Sequence, residues 1–402
     1  MGKILEKLNR VVTRDLRVAI AKTDIGIKEA MKKSLEGIGG LGKFIREGET
    51  IFLKPNLTGD REPSTGAVTN PEVIKALIEL IYEKKPKKVI LGDSPSWGFN
   101  AEKVYEVTGA RRVAEETGCT LINLDQDEKI DCMIPKAWRL KKIKVAKTLL
   151  DCDKLINVPV MKTHMQCVVS LGLKNMKGIM PLKIKTKLHA LEPKKEYSGL
   201  DVGIADLHRL IQPDLTIVDG TIGMEGRGPF DGEPIRMDLI IAGEDAVLVD
   251  AVCATIMGFD PEKIPSFRLC AGVDSIRLRD YQIVGPAIDW IKRTFKPCPA
   301  DVYSGENLRV FTGEACSGCL ATLNTAIHRL TKSDDWKNVK KLAIGVGKNP
   351  KIPFGADKVL NVGKCATMAQ LLRTGKKVNI VKGCPPTGWR IVQAIKDFGP
   401  AS

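Results

Sequence analysis

The sequence is poor in aromatic side chains, in histidine and in long apolar runs, and each shortage narrows what the chain can do. Aromatics make up 5% of it, and no zinc-finger or RNA-binding signature occurs, so nucleic acid is the weakest candidate partner. The apolar runs are short and broken by charge, too short to span a bilayer. The opening MGKILEKLNRVVTRDLRVAIAK has no continuous apolar stretch and no small-residue cleavage site, which predicts no secretory signal. Glu6 stands where a myristoylated chain needs Ser or Thr. No G-x-G-x-x-G follows the first strand-like runs and no Walker motif appears, so neither nicotinamide nor ATP is supported. A flavin needs no fixed motif and is not excluded.

Carboxylates are also in deficit. Lys plus Arg number 63 against 48 Asp plus Glu, a formal charge of +15. The excess favours an anionic small molecule, carboxylate or phosphate, or an acidic electron-transfer protein such as ferredoxin. The basic residues are spread along the chain, and a lysine-rich solvated surface of the heat-adapted kind explains them equally well. With 43% hydrophobic and 28% charged residues over 402 positions, the composition is that of a soluble globular protein of two or three domains.

Against these shortages stand eleven cysteines. Without a secretion signal they imply a reducing, cytoplasmic setting, where clustered thiols point to metal or redox chemistry rather than disulfides.

Short β-branched runs alternate with amphipathic stretches throughout, the pattern of an α/β protein with a doubly wound, mostly parallel sheet. Strands are predicted at 16–22, 50–56, 87–95, 119–125, 154–164, 214–220 and 237–243, with helices between several of them, such as 71–85 and 101–118. The pattern breaks near 286–306. A boundary at about 300 therefore separates a ligand-binding α/β domain (1–300) from a smaller one (301–402). Four strand-like runs in the latter, 308–313, 340–347, 356–363 and 376–383, fit a small flavodoxin-like parallel sheet.

Three of those four runs end in cysteine. Cys316 and Cys319 follow the first in EACSGC, Cys365 follows the third in GKCA, and Cys384 follows the fourth in NIVKGCPPTGW. Parallel strands deliver their C-terminal ends to one crevice, so four thiols distant in sequence can converge. Four cysteinates suit zinc or an iron–sulfur cluster. One CxxC plus two single cysteines, the last followed by proline, favours the cluster, most simply [4Fe–4S], over the paired knuckles of structural zinc. The two prolines fix φ and lack amide hydrogens, which stiffens the exit from Cys384. The glycines at 313, 318, 363 and 383 let backbone come close. The other cysteines, at 119, 132, 152, 167, 253, 270 and 298, lack such spacing; most read as core fillers, while Cys298, in KPCP near the boundary, is placed to approach the cluster.

Polar residues mark the strand ends of the first domain: Lys54 and Asn56 in LKPNL, Asp93 and Ser94 in GDSP, Lys162 and His164 in NVPVMKTH, and Asp219 in VDGT. A lysine-rich segment with Lys174, Asn175, Lys177 and His189 follows His164. Lysines suit carboxylate or phosphate binding, and a histidine moves protons near neutral pH. Asp, Ser, Asn and Pro are equally ordinary turn residues.

Two resemblances attach to these motifs. KPNL, GDSP, N-x-P-x-x-K-T-H and L-K-N-x-x-G, in that order over roughly 16–270, resemble the domain-of-unknown-function family numbered three-six-two, whose members often carry iron–sulfur ligands. CxxC, G-x-C-A and G-C-P-P over about 308–398 resemble the cluster domain of hydrogenase small subunits and the related complex I subunit. That likeness implies single-electron relay through Cys316, Cys319, Cys365 and Cys384. A more distant similarity to the nickel-pincer lactate racemase, through the spacing of His164, Lys174 and His189, implies base, cofactor-anchor and metal-ligand roles and leaves a nickel cofactor open.

The expectation is an iron–sulfur oxidoreductase or electron-transfer protein that passes electrons between a [4Fe–4S] cluster and an anionic ligand or partner. In it, His164 and Lys174 act on a substrate held by Lys54, Asn56, Asp93, Ser94, Lys162, Asn175, His189 and Asp219. The alternatives are a racemase or epimerase on a small carboxylate with a structural cluster, and a non-catalytic cluster-bearing maturation or binding factor.

Overall fold

A computed structural model of the chain describes residues 15–96, 98–164, 166–188, 191, 197–299, 304–315, 317–353, 356, 358–366, 379–383, 386 and 388–397. The chain divides into two compact units, 1–298 and 299–402.

In the first unit the strands are β1 (Arg17–Lys22), β2 (Thr50–Pro55), β3 (Lys88–Asp93), β4 (Thr120–Asn123), β5 (Lys129–Met133), β6 (Lys142–Ala146), β7 (Lys154–Val158), β8 (Val160–His164), β9 (Val168–Ser170), β10 (Leu215–Glu225), β11 (Glu233–Gly243) and β12 (Gln282–Val284). Their main sheet runs β12-β1-β11-β10-β7-β2-β3-β4, with β8 and β9 attached through β10. Along β2, Ile51 and Leu53 join one core layer while Phe52 joins the other. Val89 and Leu91 alternate with Ile90 in the same way along β3. A strand apolar on both faces must be covered on both, and helices supply the cover.

The sheet is mixed. β2, β3, β4, β7 and β10 are parallel to their neighbours on that side. β11 runs antiparallel to both β10 and β1, because the short 226–232 connection makes β10 and β11 a hairpin. The stretch 154–164, expected as one strand, is two. Pro159 has no amide to give the ladder, so β7 stays with β2 while β8 leaves to pair with β9.

Helix starts explain how the strand ends are fixed. Pro71–Tyr82 begins with Pro at its first turn, and the Asn70 side chain accepts from Glu72 N at 3.0 Å. Val73, Ile74, Leu77, Ile78 and Ile81 are buried along it at helical spacing. In Ala246–Ile256, Asp245 caps Val247 N at 2.9 Å and Leu248 N at 3.0 Å.

The second unit holds β13 (Leu308–Gly313), β14 (Leu342–Gly347), β15 (Lys358–Val362) and β16 (Asn379–Val381) in one four-stranded parallel sheet in sequence order. Its core joins Leu342, Ile344, Leu360 and Val362 to Leu323 and Ile327 of the helix Ser317–Thr331 and to Ile391 and Ile395 of Gly388–Lys396. No helix among the described residues is long and apolar enough to cross a membrane.

Candidate functional site

Parallel strands β2, β3 and β7 end on one edge of the first sheet, and their terminal polar residues meet there. Lys54 is fully buried, with Nζ 2.8 Å from Asp93 Oδ1. Nζ also donates to Pro55 O at 2.6 Å and to Asn175 Oδ1 at 3.4 Å. Asp93 Oδ2 accepts from Leu57 N at 2.7 Å and Oδ1 from Ser94 N at 2.8 Å. Asn56 Nδ2 donates to Asn175 Oδ1 at 3.1 Å, and Asn56 Oδ1 accepts from Lys162 Nζ at 3.2 Å. Lys162 Nζ donates in addition to Ala67 O at 2.6 Å.

Asn175 is the hub. Its Nδ2 donates to Asn157 Oδ1 at 2.8 Å and to Lys54 O at 3.2 Å, while its Oδ1 accepts from two side chains. It sits at the end of the short helix Gly172–Asn175, whose first amides, Gly172 N and Leu173 N, donate to Asp250 at 2.7 and 2.9 Å. Burial pushes the Asp250 carboxyl up to about 7, against the lowering effect of those two amides. A Cβ on Gly178 would stand 2.1 Å from Asp93 Oδ1 and 2.4 Å from Lys54 Cε, so only glycine lets this turn lie on the ion pair.

Lysines dominate the electrostatics. Burial lowers the pKa of Lys54, Lys162, Lys174 and Lys177. The charge of Lys174 lowers Lys162 and Lys177 further. Lys185 is brought down to about 8, again mainly by burial. It reaches from the helix Leu182–Leu188 to Ser94 Oγ at 2.5 Å, Pro95 O at 2.8 Å and Ser94 O. Ser94 Oγ in turn donates to Asp125 Oδ2 at 2.6 Å. Lys162 and Lys174 form no salt bridge with a carboxylate among the described residues, and Lys174 Nζ donates to Ser170 Oγ at a long 3.5 Å.

His164 is buried at the end of β8. Its Nδ1 accepts from Gln166 N at 3.1 Å and Cys167 N at 3.3 Å. An Nδ1 that accepts carries no hydrogen, so in the neutral ring the proton is on Nε2. Asp219 is occupied elsewhere: Oδ2 accepts from Asn70 N at 2.7 Å, and Oδ1 from Thr221 Oγ1 at 2.7 Å and Thr221 N at 2.9 Å. It ties β10 to the helix that starts at Pro71.

The strand-end residues named from sequence thus divide by role. Lys54, Asn56, Asp93, Asn175 and Asp219 hold the loops together. Lys162 and Lys174 keep hydrogen-bonding capacity suited to a ligand, and His164 is buried at the end of β8 with its Nδ1 occupied by two amides. His189 lies outside the described residues. Asn157, Asp250 and Lys185 were not singled out from sequence. An aspartate inside the apolar run AVLVDAVCATI was the available signal for Asp250.

In the second unit, Cys319 is buried near the start of Ser317–Thr331, and Cys365 is exposed beyond β15. Gly363 has φ +95°, and a Cβ there would stand 2.9 Å from Cys319 Sγ. Gly363 N donates to Val381 O at 3.0 Å and Lys364 N to Gly383 O at 2.9 Å. The backbone that follows β15 is therefore hydrogen-bonded to the end of β16 and to Gly383, and Gly363 lies against the Cys319 thiol. Cys316 and Cys384 lie outside the described residues. Among the described residues, no group of three or more His, Cys, Asp or Glu side chains forms a metal site. Cys119, Cys132, Cys152, Cys167, Cys253 and Cys270 are buried, and burial pushes the Cys167 thiol up to about 12.

Residues 51–255 match the family described as "Domain of unknown function (DUF362)". A thylakoid-associated protein of Synechocystis sp. is 32% identical over 244 residues, which cover 59% of this chain and 72% of that protein. Among solved structures, the lactate racemase apoprotein of Thermoanaerobacterium thermosaccharolyticum aligns over 92% of this chain and 93% of its own, at 10% identity and a TM-score of 0.39. A protein of Thermotoga maritima aligns over 62% of this chain and 58% of its own, at 13% identity and a TM-score of 0.34.

Proposed function

The chain belongs to the DUF362 family, and on that premise we propose that it is a cytoplasmic iron–sulfur oxidoreductase or electron-transfer protein whose first unit binds a small anion. The observation that carries the anion site is the pair Lys162 and Lys174, which form no salt bridge with a carboxylate among the described residues and are set among three more lysines. A buried ammonium is costly unless paired, and a bound carboxylate or phosphate supplies the missing charge. Lys162 offers its remaining N–H and Lys174 its amine.

In this reading the second unit carries a [4Fe–4S] cluster on Cys316, Cys319, Cys365 and Cys384. What supports it is local: at Gly363 the positive φ and the missing Cβ beside Cys319 Sγ give the close backbone approach that an inorganic core needs. Such a cluster, when bound, exchanges single electrons. The zinc alternative makes a different demand, one metal and no sulfide.

A second reading, proton transfer on a small carboxylate, is favoured by one detail. Because Nδ1 of His164 is committed to two amides, the base falls to an amine. Lys174, whose pKa burial lowers, is the amine that takes the α-proton, while the Lys162 ammonium holds the carboxylate.

The deciding experiment is iron, zinc and acid-labile sulfide analysis of anaerobically purified protein with its visible spectrum. About four irons and four sulfides per chain, with a brown colour bleached by dithionite, is expected. Colourless protein with one zinc overturns the redox reading. Exchange of a substrate α-proton with deuterium, lost in Lys174→Met, supports the second.

A further inference from the structure

The C-terminal edge of the second sheet combines exposure, charge and an aromatic anchor. Strands β13 to β16 are all parallel, so the segments after β13 and β15 that bear Cys319 and Cys365 share that edge. Lys348 directly follows β14, Lys364 directly precedes Cys365, and Lys382 directly follows β16; all three are exposed. Lys351, also exposed, lines a cavity of about 380 Å³ with Gly313, Glu314 and Asn349, which puts it at the same edge. Trp389 is 59% exposed at the start of Gly388–Lys396, and the Arg390 guanidinium lies 5.7 Å from its ring centroid. Glu314 is the sole carboxylate among the described residues of these loops.

Acidic residues of this unit gather elsewhere. Asp334 and Asp335, in the turn that leads into β14, pair with Lys337 at 3.2 Å and Lys396 at 2.5 Å. None of Lys348, Lys351, Lys364 and Lys382 is in an ion pair among the described residues. Charge is thus segregated, with uncompensated lysines on the edge where the cysteines lie.

We propose that this rim is the docking surface for an acidic electron-transfer protein, a proposal that rests on the cluster reading above. Unpaired like charges around one patch steer an oppositely charged partner and orient it on encounter. An exposed tryptophan with an adjacent arginine is the kind of anchor that protein interfaces concentrate. Single-stranded nucleic acid would instead use several aromatic faces in a row. The patch brings the partner's redox centre to the edge where Cys319 and Cys365 sit.

The test is direct binding of a plant-type ferredoxin to the full chain, measured by biolayer interferometry at several salt concentrations. Double-stranded DNA and phosphatidylglycerol vesicles serve as rival ligands. Wild type should bind ferredoxin with an affinity that falls steeply with salt. Lys364→Glu with Lys382→Glu should weaken binding at least about tenfold, and Trp389→Ala should weaken it without altering the salt slope. The matched reversal Lys32→Glu with Lys33→Glu, on the exposed face of the helix Ile27–Gly37, should change it less than about threefold. Equal loss in both charge pairs overturns the proposal, as does binding of DNA or vesicles but not ferredoxin. Iron and sulfide content, read on the same samples, reports separately on the cluster. A chain without a cluster sinks the redox reading, while the binding comparison still decides the surface.

Discussion

Lys54 Nζ lies 2.8 Å from Asp93 Oδ1, with both side chains sealed from water. The pair joins the end of β2 to the end of β3, and Gly178 packs directly on it. Removing one partner leaves the other charge buried and alone, which costs about 3–5 kcal/mol. Lys54→Met should therefore lose stability on that scale in urea denaturation, and Lys54→Met with Asp93→Leu should recover part of it. Additive losses would show that the two residues act independently.

Asn175 and its neighbour Lys174 should separate structure from binding. Asn175→Ala strips partners from Lys54, Asn56 and Asn157, each unsatisfied group costing about 1–3 kcal/mol. A clear drop in Tm is expected. Lys174→Met removes a half-buried amine with one long hydrogen bond, so Tm should hold or rise while affinity for an anion such as phosphate or a 2-hydroxy acid falls. Unchanged anion affinity in Lys174→Met, measured by calorimetry, would remove Lys174 from the site.

Asp250 gives the fold a pH dependence of definite sign. Its carboxyl titrates at about 7 when folded and near 3.8 when unfolded. A group raised in this way contributes stability that is complete below pH 3.8 and is lost as pH rises through about 7, on the order of 4 kcal/mol in all. Asp250→Asn should flatten that slope between pH 4 and 7. Lys185 acts at the other end: lowered to about 8, it makes stability rise with pH from there to about 10.5. Lys185→Met should abolish that alkaline gain in chemical denaturation series.

The sequence exposed some of this readily and concealed the rest for physical reasons. Consecutive apolar residues such as Ile51, Phe52 and Leu53 announced strands buried on both faces, because the side-chain period of a strand is two. The parallel order of β2, β3 and β7 followed from the helices between them. The antiparallel placement of β11 did not, since the direction of a strand is set by the length of its connection and not by its own residues. Polar residues at strand ends were visible one by one. Their division into scaffold and ligand-facing groups was not, because that depends on which acceptors lie within 3.5 Å across 121 residues of chain, as between Lys54 and Asn175. Lys185 looked like one lysine among many in PLKIKTKLH, and only the fold brings it to Ser94.

Gly363 offers the sharpest test of the cysteine module, because a single methyl group distinguishes its two readings. At φ +95° an alanine is strained, and its Cβ would stand 2.9 Å from Cys319 Sγ. If Cys319 is a cluster ligand, Gly363→Ala forces the sulfur or the loop away from its position. Iron and sulfide per chain should then fall by more than half while the first unit keeps its denaturation midpoint. If Cys319 is merely a buried thiol, the same substitution costs about 1–3 kcal/mol of local strain, with no inorganic content to lose. Gly363→Ser, with the same Cβ, should reproduce the loss. Lys364→Ala, one residue on with an exposed side chain, should leave metal content at the wild-type value. Full iron and sulfide content in Gly363→Ala would show that the approach of Gly363 to Cys319 is packing alone.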